Sequence, residues 1–145
     1  MIPPFDQGGN LPAGIHLATW DEVFATFAST AQRIQLLQGF RAATEILYSA
    51  GCRRVYLDGS FATSKVSPED FDALWDATGV DLAILLQREP CFADFSNGRA
   101  AQKAKYFGEF FPANFREPSF GGLFLDFFQV DKQTGLPKGI VAIDL

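Results

Sequence analysis

Between residues 53 and 76 the chain switches twice between apolar and small polar residues, in a way that admits few folds. Arg53-Arg54-Val55-Tyr56-Leu57-Asp58 reads as a strand, Gly59-Ser60 as a turn and Phe61 to Glu69 as a short excursion. Asp70-Phe71-Asp72-Ala73-Leu74-Trp75-Asp76 then reads as a second strand. Side chains two apart on a strand project from one face, so Asp70 and Asp72 are expected side by side. Carboxylates so placed repel, and one takes up a proton unless a cation sits between them. Oxygen-only ligands suit magnesium or manganese. The plainer alternative is a surface turn followed by two solvated aspartates.

At 145 residues, with 48% hydrophobic content and 16 phenylalanines, the chain has material for one domain with one core. Residues 1–18, with Pro3, Pro4 and Pro12, read as an irregular arm, and residues 19–145 as the domain. The arm carries His16, the only histidine, whose setting suits packing or hydrogen bonding more than catalysis. Thr19-Trp20-Asp21-Glu22 is a capping box that predicts a helix from Trp20 to about Ala28. A longer helix is predicted over Ala31–Ser49. Ile34, Leu37, Phe40, Ala43 or Thr44 and Leu47 form its apolar stripe, Arg33, Gln35 and Gln38 lie on its other face, and Gly51 ends it.

Residues 79–86 suit a short helix or a strand, 88–98 a loop, and Arg99 to about Phe110 a helix stopped by Pro112. Leu123–Val130 and Gly139–Leu145 read as a terminal hairpin. Helices first and strands later predict an α/β or α+β fold, a mixed sheet flanked by helices.

Twelve basic against 17 acidic residues, net charge -5, disfavour binding to bare nucleic acid, although Arg33, Arg41, Arg53, Arg54, Arg99, Lys103 and Lys105 supply material for a local basic patch. Cys52 and Cys91 form neither a disulfide framework nor a zinc pattern. No run approaches a membrane span, and Met1-Ile2-Pro3-Pro4 does not read as a signal peptide, so a cytoplasmic protein without membrane contact is expected.

Asp126 sits within the phenylalanine-rich run 123–130, where an aspartate is costly to bury without compensation. It reads either as a member of a carboxylate cluster or as a strand-end aspartate paired with a lysine or arginine.

Gly59-Ser60 followed after about ten residues by Asp70-x-Asp72 resembles the signature of the nucleotidyltransferase superfamily, the DNA polymerase beta-like group. The resemblance implies transfer of a nucleoside monophosphate from an NTP, ATP foremost, to a hydroxyl of a protein or RNA. It also implies a third acidic residue on a neighbouring strand, and Asp126 matches that placement better than Asp81, Asp131 or Asp144. Asp70, Asp72 and Asp126 would then hold Mg2+ or Mn2+ in a two-metal site. Gly59 and Ser60 would meet the phosphates, with Lys65 either a further phosphate contact or a solvated loop lysine.

Leu11-Pro12-x-Gly14-Ile15-His16, Ala50-Gly51-Cys52, Trp75-Asp76 and Lys138-Gly139-Ile140-Val141 further resemble a small bacterial family allied to minimal nucleotidyltransferases. Such proteins often act as antitoxins paired with a helical toxin, which implies a protein acceptor or toxin partner. A chain this short leaves a partner or a second copy to complete the site. One departure stands out: Phe61, Ala62, Thr63 and Ser64 occupy positions where minimal members have basic residues. A catalytically inactive nucleotide-binding or antitoxin protein is therefore the alternative. Trp75 shares a face with Phe71 and Ala73, which predicts core packing.

Overall fold

Thr19 opens the first helix as its spacing predicts. In the computed structural model, which describes residues 1–145, its hydroxyl accepts from the Glu22 amide at 3.2 Å. The Glu22 carboxylate accepts from the Thr19 amide at 2.8 Å. Helix α1 (Trp20–Phe27) and helix α2 (Ala31–Ser49) follow. Leu37, Phe40, Ala43, Thr44 and Leu47 of α2 are buried, while Ile34 is left 39% exposed. Arg33 departs from its expected place on the polar face and is only 3% exposed.

Five strands form one mixed sheet: β1 (Gly14–Leu17), β2 (Arg54–Asp58), β3 (Phe71–Trp75), β4 (Gly108–Pro112) and β5 (Gly139–Asp144). Their order is β1-β5-β2-β3-β4; β1 with β5 and β3 with β4 run parallel, and β2 is antiparallel to both neighbours. Helices α3 (Leu82–Arg88), α4 (Ser96–Tyr106) and α5 (Phe124–Phe127) complete the mixed α and β architecture. No helix is long and apolar enough to cross a membrane.

Three elements differ from the sequence reading. The arm is not irregular throughout, because Gly14–Leu17 forms edge strand β1. The helix expected to reach Phe110 stops at Tyr106, Phe107 turns left-handed at φ 71°, and Gly108–Pro112 becomes β4. Proline is tolerated at the end of this edge strand. Only the tip of the terminal hairpin forms, as an antiparallel bridge between Val130 and Pro137. β5 pairs with β1 and β2 instead, and Phe124, Phe127 and Phe128, spaced i, i+3, i+4, make a helical turn.

The sheet has two unlike faces. Val55, Leu57, Phe71, Ala73, Trp75 and Phe110 face the helices in the larger core. There the Phe40 ring meets Phe71 at 5.3 Å, and Phe71 meets Phe110 edge-on at 5.5 Å. Tyr56, Leu74, Phe111, Ile140 and Ala142 face a smaller core closed by Phe128. The smaller core stops short of one end of β2, β3 and β4, and that end is polar.

Arg33 ties the helix layer to the turn after β2. Its guanidinium donates to Phe61 O at 2.8 Å, Thr63 O at 3.0 Å, Phe27 O at 3.4 Å and also to Lys65 O. No carboxylate pairs with it; backbone carbonyls compensate the charge. Arg33→Met leaves these acceptors unfilled and is expected to cost about 2 kcal/mol or more in urea unfolding, with Arg33→Lys recovering only part.

Candidate functional site

Asp58 ends β2, Asp72 is the second residue of β3 and Glu109 the second residue of β4. The register pairs Asp58 with Asp72 and Asp72 with Glu109, so three carboxylates form a row across neighbouring strands on one face. Asp70, one residue before β3, flanks the row. Burial first, and then Glu109, Asp58 and Asp70, push the Asp72 carboxyl up to about 7 against the opposing field of Lys132. Burial pushes Asp58 up to about 6, opposed by Lys138. Burial also raises Asp70, with Lys103 pulling it back down.

Lysines neutralise the ends of the row. Lys138 Nζ lies 3.0 Å from Asp58 Oδ1, while Asp58 Oδ2 is buried without a partner. Lys103 Nζ lies 3.1 Å from Glu109 and 4.0 Å from Asp70. Asp72, in the middle, has no ion pair.

Two cavities meet at Asp72. One, of about 350 Å³, is polar and bounded by Gly59, Ser60, Thr63, Lys132 and Lys138. The other, of about 570 Å³, is more apolar and is bounded by Arg99, Glu109, Phe111, Phe115 and Phe124. Asp72, Phe127, Phe128 and Lys132 belong to both.

Gly59 has φ 78°, and a Cβ there would stand 2.8 Å from Asp72 Oδ2. Glycine is thus required by the carboxylate itself as well as by the turn. Ser60 opens a 3-10 turn over Ser60–Ala62 and lines the polar cavity. Asp70 borders neither cavity that meets Asp72 but a separate one, with Glu69 and Lys103. Lys65 is exposed and lines neither cavity that meets Asp72; it reaches the site only as a field on Asp70. Asp126 requires correction. It lies exposed on α5, off the sheet, and borders neither cavity, because its segment packs Phe124, Phe127 and Phe128 inward and turns Asp126 to solvent. His16 Nε2 bonds Pro12 O at 2.6 Å, the hydrogen-bonding side of the packing or hydrogen-bonding role expected of it.

The sequence reading missed Asp58, Glu109, Lys132, Lys138 and the site role of Arg99. Asp58 was signalled by a charge closing an apolar strand. Glu109 carried no such local signal, because Phe107, a residue with no helix-stopping character, reverses the chain before it.

No three His, Cys, Asp or Glu side chains converge at metal-ligand spacing. The donor chemistry nevertheless fits a hard cation. Asp70, Asp72 and Glu109 offer only oxygen, burial and then the neighbouring carboxylates raise Asp72, and Lys103 already places one positive charge between two of them.

Residues 3–144 match the model of a family of unknown function, DUF6932, and the chain belongs to that family. No curated protein and no solved structure matches it.

The raised carboxyls set a pH dependence. A group whose folded pKa exceeds its unfolded value near 3.8 stabilises the fold below 3.8 and loses that contribution as pH rises through 6 for Asp58 and 7 for Asp72. Glu89 runs the other way: burial would raise it, but hydrogen bonding with Lys105, Cys91 and Tyr106 brings it down to about 2, so its contribution is lost only in acid. In metal-free buffer the urea midpoint is therefore expected to fall from about pH 5 to about pH 8, and Asp72→Asn to flatten that fall. Gly59→Ala, strained at positive φ and abutting Asp72, is expected to lower stability by about 1–2 kcal/mol in the same titration.

Proposed function

We propose that the protein is a metal-dependent nucleotidyltransferase, moving a nucleoside monophosphate from an NTP to a hydroxyl. The observation that carries the reading is Asp72: a half-buried, unpaired carboxylate, crowded by three others, at the junction of a polar and an aromatic cavity. Asp70, Asp72 and Glu109 would hold Mg2+ or Mn2+, with Glu109 in the role that the sequence reading gave to Asp126. The bound metal supplies positive charge for the phosphates and lowers the pKa of the attacking hydroxyl.

The chain's own groups account for the rest. The amides around Gly59, the Ser60 hydroxyl and the ammonium groups of Lys132 and Lys138 bind and orient the triphosphate in the polar cavity. The acceptor oxygen forms a bond to the α-phosphorus, and the bond from that phosphorus to the bridging oxygen breaks. Pyrophosphate leaves with the electron pair, and the hydroxyl proton passes to Glu109 on the wall of the second cavity. Phe127 and Phe128, shared by both cavities, exclude water from the junction.

A binding protein without chemistry is the second reading. It is favoured by Phe61 and Ala62, which are buried where a basic residue would grip phosphate, and by the hold of Lys103 on Glu109.

Incubation with labelled ATP, magnesium and a lysate or self-acceptor separates the two. Asp72→Asn and Glu109→Gln are each expected to reduce label transfer on the order of a hundredfold or more, with Asp126→Asn unchanged. Metal-dependent ATP binding without transfer by the wild type would favour the binder; equal losses at Asp126 and Glu109 would overturn the assignment of the third carboxylate.

A further inference from the structure

Arg99 is the unexplained group of the second cavity. Its Nε is buried and has no acceptor, although a buried guanidinium donor left unmet is costly. The guanidinium is clamped between two rings, 4.0 Å from the Phe111 centroid and 4.7 Å from that of Phe95. Its backbone is equally unusual. Asn97, Gly98 and Arg99 are all left-handed, at φ 51°, 62° and 59°; glycine adopts this freely, but at Asn97 and Arg99 it is a strain that proteins tend to keep where a side chain must be aimed.

The neighbouring charges are mostly spoken for. Lys103 neutralises Glu109, Ser119 and the Phe120 amide occupy Glu117, and Arg116 donates to Gly121 O at 2.6 Å. Arg99 and Lys132 remain as cations with neither an ion pair nor a hydrogen bond, on a cavity otherwise rich in phenylalanine. Phe95 and Phe115 stand at its mouth, 55% and 47% exposed. A bare apolar ligand would leave Arg99 unmet, and a small inorganic anion would leave the rings uncovered.

We propose that this second cavity is the acceptor subsite and takes a hydroxyl compound that carries a planar aromatic ring and a phosphate or carboxylate, its anion on Arg99 and its ring against Phe115 and Phe127. The assignment deepens the transferase reading and rests on Asp72 as the reacting centre, since the ligand's hydroxyl must face the carboxylate that both cavities share.

AMP and adenosine are suitable probes because they differ only in the anion. Isothermal titration calorimetry in EDTA, with no metal and no turnover, is expected to show AMP binding more tightly than adenosine. Arg99→Met, which keeps an apolar stem between the rings, should weaken AMP about tenfold or more and leave adenosine unchanged. Phe115→Ala, at a half-exposed position that does not threaten folding, should weaken both. Lys65→Met, exposed and bordering neither cavity, should leave AMP unchanged, and Lys138→Met tests the polar cavity as the competing site.

Loss of AMP affinity in Lys138→Met but not in Arg99→Met would overturn the subsite, as would equal affinity for AMP and adenosine or no binding of either. The two readings fail separately. Arg99-dependent AMP binding in a protein that transfers no label removes only the chemistry; label transfer without Arg99-dependent binding removes only the subsite.

Discussion

Crowding of like charge in a partly buried row is the constraint around which this end of the molecule is built. Isolated buried carboxylates cost several kcal/mol each, and three in register across β2, β3 and β4 cannot all remain ionised without help. The help comes from lysines in separate segments: Lys103 on α4, and Lys132 and Lys138 in the connection leading to β5. Two of these pair with the outer members of the row, Glu109 and Asp58. Asp72 is left as the acid whose charge nothing in direct contact cancels. That residual negative potential stands where the two cavities join, the most useful place for it if a cation is to be recruited.

The two faces of the sheet divide the work. On the helix side, Phe40, Phe71, Phe92 and Phe110 interlock at centroid separations of 5.3–6.4 Å, holding β3 and β4 in register. On the other side a short aromatic turn covers only part of the surface, so the strand ends stay open. Arg33 links the two by fastening the carbonyls of residues 61–65 from beneath. A buried cation is thus spent on backbone geometry, which sets where Gly59 and Ser60 stand relative to Asp72.

Much of this was legible along the chain, and what was missed shares one physical cause. The capping box, the long helix, Gly51 at its end, and the strand-turn-strand around Gly59 are local patterns, and each forms where the residues place it. β4 was hidden because α4 runs into it with a single reversal at Phe107, and only parallel pairing with β3 makes 108–112 extended. Glu109 was hidden with it. The run 123–130 misled in the opposite sense: continuous apolar residues carry no period-2 signal, so a helical turn with Asp126 outward satisfies them as well as a strand does. Arg33 looked like one more polar-face residue because three of its four acceptors lie about thirty residues away in sequence, which no helical periodicity reports.

The turn after Gly59 and Ser60 presents no basic residue to the polar cavity, whose positive charge comes from elsewhere in the fold. Phe61 and Ala62 are buried against the helix layer, so that stretch cannot present positive charge to the cavity. The lysines that do so, Lys132 and Lys138, arrive on the connection before β5. That connection is pinned at its base: Asp131 N bonds Leu136 O at 2.8 Å, and Asn10 Nδ2 bonds Asp131 Oδ2 at 2.8 Å. Asn10 also bridges to Thr63, and Gly139 N bonds the O of Leu11, which is fully buried. The N-terminal arm therefore serves as more than an extra edge strand. It clamps the segment carrying the cavity's positive charge against the turn carrying its glycine and serine, so the polar wall depends on residues near both ends of the chain.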